Sequence, residues 1–118
     1  MAKRVDWCYR RRSGSTSCIR ANGFFAKHNV MVVAETNPET ERIGPDEALK
    51  MARRASRVIV ARRGATVVTY DMRRDQPDDA TLLRHMLGPT GWLRVPTIRC
   101  GKTLMIGFSD DGYRAALE

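Results

Sequence analysis

Five apolar residues in a row, Val30-Met31-Val32-Val33-Ala34, constrain this chain more than any other segment. A run of strand length with no alternation is expected where a strand is buried on both faces, as in a parallel sheet covered by helices. Ahead of it, Thr16 to Lys27 sets Cys18, Ala21, Phe24 and Phe25 at helical spacing, and Val5-Asp6-Trp7-Cys8-Tyr9 reads as a first strand. Strand, helix and strand in that order make a crossover unit, so the first third of the chain predicts a parallel pair.

Local signals then place the remaining elements. Ser15 is suited to cap the first helix, and Asn29 to end it in a left-handed conformation. Gly23 within that helix costs roughly 1 kcal/mol against alanine, which close packing against the sheet would offset. Gly44-Pro45-Asp46-Glu47 is a helix start, with Ala48, Met51, Ala52 and Ala55 as its apolar stripe. Arg57 to Ala61 and Thr66 to Tyr70 flank Arg62-Arg63-Gly64-Ala65, and read either as a hairpin or as a helix end followed by one strand. Asp78-Asp79 opens a helix that Gly88 closes, and Pro89 to Leu93 is a loop. Thr97 to Cys100, the Gly101-Lys102 turn and Thr103 to Phe108 read as a hairpin, after which Ser109 caps a final helix from Asp110 to Leu117.

At 118 residues the chain is expected to be one domain, 1–118, with a single ordinary core. No apolar run approaches the ~20 residues that span a bilayer, and no signal core of ~7–15 apolar residues follows Met1-Ala2-Lys3-Arg4. Three cysteines at irregular spacing do not describe a secreted disulfide framework, so a reducing, cytoplasmic setting is expected. The net charge of +8 would attract anions. Its arginines, however, fall in short groups at Arg10-Arg11-Arg12, Arg53-Arg54, Arg62-Arg63 and Arg73-Arg74. That dispersion speaks against a nucleic-acid site, which would show one dense patch with interleaved aromatics.

Ser15-Thr16-Ser17-Cys18 lies between the first strand and the first helix, where a redox protein carries Cys-x-x-Cys. Together with Leu93-Arg94-Val95-Pro96-Thr97 and Gly107-Phe108-Ser109, it resembles the arsenate reductase (ArsC)-related family. The resemblance implies an α/β thioredoxin-like fold: β-α-β, a mainly helical insertion over about 39–90, then β-β-α, on a four-stranded mixed central sheet. It implies that Ser15 stands at the attacking position, held in the family by cysteine or selenocysteine, and that Cys18 is the resolving thiol. It also implies that Pro96 is cis against the redox pair. Arg12, Trp92, Arg94, Val95 and Pro96 are the expected groove for a thiol, disulfide or glutathione-like substrate, with Trp92 readable equally as core and Arg94 as a solvated loop arginine. No resident cofactor is expected, and glutathione or thioredoxin would be the reductant. Arg94 matches the arginine before the proline, but the other anion ligands of an arsenate reductase are not identifiable.

Helix N-termini and neighbouring arginines stabilise thiolate and can lower a thiol pKa from ~8.5 to ~3.5–7.5. In a dithiol the first residue attacks and the second resolves the mixed disulfide. Serine can do neither, and no His-Asp pair stands near Ser15 to make it a hydrolase nucleophile. Three readings of Ser15 follow. It replaces cysteine or selenocysteine; or it is a plain helix cap in a protein working through Cys18 alone; or the domain is not a redox protein and Cys18 is core. The rival function is an interaction module like the Spx-type regulators of the same fold, binding an acidic protein. Cys8 and Cys100 read as packed thiols, and Trp7, Tyr9, Phe24 and Phe25 as core. His28 and His85 have no partner at metal-ligand spacing.

Overall fold

The structure, a computed structural model, describes residues 3–12, 14–62 and 66–117. The first strand is broken at Asp6 into β1 (Lys3–Val5) and β2 (Trp7–Tyr9). The Asp6 carboxylate accepts the Gly101 N–H at 2.6 Å and pairs with Arg4 at 3.0 Å. After α1 (Thr16–Lys27), β3 (Val30–Val32) and β4 (Glu35–Thr36) are broken in the same register. β1 pairs in parallel with β3, and β2 with β4. Two bonds of 2.9 Å, Val33 N–H to Val5 O and Cys8 N–H to Ala34 O, carry the ladder across the breaks. Asn29 closes the helix at φ 54, a conformation asparagine tolerates.

Next come α2 (Pro45–Arg54), β5 (Arg57–Ala61), β6 (Val67–Asp71) and α3 (Asp79–Met86). The chain closes with β7 (Thr97–Cys100), β8 (Thr103–Ile106) and α4 (Asp110–Leu117). Segment 39–90 is therefore not mainly helical. Its residues 57–61 and 67–71 form an antiparallel hairpin, joined beyond the strand ends by Arg62 N–H to Thr66 O at 2.8 Å. The expected turn residues Arg63-Gly64-Ala65 lie outside the described residues, as does Ser13, which precedes Gly14 ahead of α1. Because β5 also pairs in parallel with β8, the hairpin enlarges the central sheet. The sheet is mixed and six-stranded, in the order β4-β2-β7-β8-β5-β6, not four-stranded; β1 and β3 form a small second sheet.

Two helical layers enclose it. α1 and α4 pack Ala21, Phe24, Phe25, Tyr113 and Ala116 onto Val5, Cys8, Ile98, Ile59 and Met105. On the other face, α2 and α3 pack Ala48, Ala52, Leu82 and Met86 onto Tyr9, Val58, Val60, Leu104 and Ile106. The strand buried on both faces is β5, where Val58, Ile59 and Val60 are all fully buried. Val30–Ala34 is not. It runs along the sheet edge, with Val30 and Val32 against the α1 layer and Met31 and Val33 57% and 58% exposed. The α2–α3 layer does not reach this edge, so a continuous apolar run is buried on one face only. Gly23 is likewise exposed, and a Cβ there would meet nothing within 4 Å, so its helix cost is not offset by packing. Among the described residues no helix is long and apolar enough to cross a membrane.

Candidate functional site

The strand that carries Cys8 ends at Tyr9, and the chain turns over Arg10 to Gly14 into α1. Ser15 is the N-cap, in extended conformation (φ −121, ψ 116), and its Oγ accepts the Cys18 N–H at 3.3 Å. This satisfies one of the orphan donors of the first turn. Cys18, three residues on, is 2% exposed, and its Sγ accepts the Arg11 backbone N–H at 3.4 Å. The half-exposed side chain at 15 and the buried sulfur at 18 thus share the start of one helix.

Tyr9 pairs with Thr97, so Arg10 and Pro96 leave the sheet at the same end, beside the turn that leads to Ser15. The Val95–Pro96 bond is cis. Pro96 O accepts the Gly107 N–H at 2.8 Å, and Thr97 Oγ1 donates to Arg94 O at 2.7 Å. The Leu93–Thr97 and Gly107–Ser109 segments are therefore in direct contact. Arg94 completes the junction: Nη1 donates to His85 O at 3.1 Å and Nη2 to Ala61 O at 2.9 Å. Gly107, at φ +80, leaves room for that guanidinium, since a Cβ would stand 2.8 Å from Nη2.

Each other groove residue has its place. Arg94 serves as a clamp between strand and helix ends; burial lowers its pKa, and among the described residues it forms no ion pair. Arg12 is exposed. Arg10 is pinned by Glu35 (2.8 Å) and Asn22 (2.7 Å) across the Phe25 ring, and Arg11 pairs with Glu39 at 3.3 Å. Trp92 sits at the start of α2, under the Arg42 guanidinium (5.5 Å) and against Gly44, rather than on the Ser15 turn. Val95 packs half-buried on the α2–α3 core. His85, bonded to the Tyr70 hydroxyl at 3.0 Å, has its pKa lowered by burial and then by Arg62, Arg84 and Arg94. Arg62 and Arg94 thus crowd the same end of the sheet.

Sequence reasoning missed Tyr113. It is fully buried against Phe24, Phe25 and Phe108, and its hydroxyl has no hydrogen-bond partner among the described residues. Burial, reinforced by Cys8, Cys18 and Cys100, holds its pKa well above 10. Cys8 and Cys100 lie on one face of adjacent strands, because Cys8 pairs with Ile98, two residues from Cys100. Burial pushes the Cys8 thiol up to about 12, with Arg10 opposing, and Cys100 up to about 11. Cys8 and Cys100 thus lie under α1 and α4, and Cys18 is in the first turn of α1 itself. Only Cys18 stands at a helix start with a donor aimed at its sulfur. Among the described residues no group of three or more His, Cys, Asp or Glu is placed to hold a metal. No protein-family model matches the chain, and no curated protein matches it.

Proposed function

We propose that the Ser15–Cys18 turn is the site of a thiol or selenol oxidoreductase related to the ArsC proteins, with position 15 attacking and Cys18 resolving. The observation that carries this reading is the pairing of Ser15 at the N-cap with Cys18 in the first turn, at the end of the sheet where Pro96 leads into β7. The strands β4-β2-β7-β8 have the order of a thioredoxin-like core, and we read β5 and β6 as an addition to it. Cysteine or selenocysteine at position 15 would attack a disulfide sulfur and expel one thiolate. Cys18 would then attack the mixed disulfide and release the second. Substrate gains two electrons, the 15–18 pair is left oxidised, and glutathione or thioredoxin would restore it. With serine at 15 the cycle lacks its attacking atom.

Ser15→Cys tests the reading. Turnover of a glutathione-coupled disulfide substrate is expected to appear in Ser15→Cys and to be absent from both the parent and Ser15→Cys/Cys18→Ser. If Ser15→Cys gains no activity over the parent, the redox reading is wrong, and an interaction module for an acidic protein takes its place.

A further inference from the structure

On the face of the sheet opposite Cys8, and at the opposite end from Ser15, a groove of about 610 Å³ opens between α2 and the strands. Its floor is a cross-strand row. Trp7 pairs with Arg99 and Arg99 with Leu104, so all three side chains point to the same face, one residue from the β7–β8 turn. Met51 of α2 closes the side. Trp7, expected as core, does pack against the α2–α3 core, but its burial is incomplete. It is half-buried, fixed by Nε1–H to Thr36 Oγ1 at 3.0 Å and stacked on Tyr9 at 5.8 Å, and it lines the open groove. A rigid aromatic held by its own hydrogen bond makes a pre-formed apolar platform.

The charge around that platform is uneven. Arg54, Arg99 and Lys102 meet at the end formed by the α2 C-terminus and the β7–β8 turn. None of the three is in an ion pair among the described residues. Two nearby carboxylates are engaged elsewhere: Asp6 holds Arg4 and the Gly101 N–H, and Asp79 holds Arg53 at 2.6 Å. Glu41 and Glu47 line the groove towards the other end of α2, alongside Arg42. The carbonyl end of α2 opposes an anion, but a partial charge of about −0.5 is outweighed by three full positive charges.

We propose that this groove binds a small amphipathic anion: a flat aromatic or apolar body lies over Trp7, Leu104 and Met51, and an acidic group reaches Arg54, Arg99 and Lys102. The volume falls in the range of about 300–1,000 Å³ typical of small-molecule sites. The site shares no residue with the Ser15–Cys18 turn, so it stands or falls independently of the redox reading.

The aromatic sulfonate 8-anilinonaphthalene-1-sulfonate is a suitable probe, with the neutral N-phenyl-1-naphthylamine as its uncharged counterpart. The folded protein is expected to bind one sulfonate saturably and to shift the Trp7 indole N–H resonance. The neutral probe should bind at least about tenfold more weakly, as should the sulfonate to Arg99→Glu/Lys102→Glu, both exposed positions, with circular dichroism checking that the variant is folded. Comparable affinity for the neutral probe would overturn the proposal. So would unchanged affinity in the charge-reversed variant, or resonance shifts confined to Arg10–Arg12.

Discussion

A thiol held near 12, as Cys8 is, or near 11, as Cys100 is, carries its proton at pH 8. The thiolate is the nucleophile, so both should be poor targets for alkylation. At pH 8 Cys8 should react with iodoacetamide roughly a thousandfold more slowly than a free cysteine, and Cys100 roughly a hundredfold more slowly. Mass-spectrometric mapping of the labelled sites against time checks this. Labelling of native Cys8 at the free-cysteine rate would mean that the burial assigned to it is wrong. Cys18 differs in position rather than in depth: it too is buried, but it begins a helix and receives the Arg11 N–H. That difference was legible in the sequence, because a cap followed three residues later by a thiol is a local pattern. Tyr113 was not, since nothing in Asp110 to Leu117 says that its hydroxyl will be buried without a partner.

At the scale of elements, the ends of the strands matter more than their middles. The loop after β8 and the loop before β7 meet through Gly107 N–H to Pro96 O, and Arg94 spans from there to Ala61 and His85. Through this contact Leu93–Thr97 and Gly107–Ser109, ten residues apart in the chain, are each shaped to fit the other. Gly107→Ala places a Cβ against Arg94 Nη2 in a left-handed conformation, and should lower unfolding stability by about 1–3 kcal/mol. Urea denaturation measures it, and an unchanged midpoint would refute the close approach. The helix boundaries were readable at Ser15, Pro45, Asp78 and Ser109 because capping involves only neighbouring residues. Within segment 39–90 the sequence leaves Arg57 to Ala61 open, as a strand or as the end of a helix. A short apolar run such as Arg57 to Ala61 has the same local pattern whether it becomes a strand or the end of a helix.

Across the whole molecule, the strand order assigns each segment its share of stability. β8 has β7 on one side and β5 on the other, whereas β4 and β6 are edges. Amide hydrogen exchange followed by NMR should find the slowest protons in β8, β5 and β7, with β6 and β4 exchanging first. Protection of β6 equal to that of β8 would be incompatible with the order β4-β2-β7-β8-β5-β6. The same order decides what the longest apolar run is for. The sequence alone determined that Val30-Met31-Val32-Val33-Ala34 is extended and that α1 precedes it, because periodicity and caps act over a few residues. Only the tertiary structure decided that this run is an edge with Met31 and Val33 in solvent, and that β5 is the doubly buried strand. Burial depends on which elements lie alongside, and that is settled by contacts between segments far apart in the chain. The Trp7–Arg99–Leu104 row arises in the same way, from residues up to 97 positions apart brought onto one face by strand pairing.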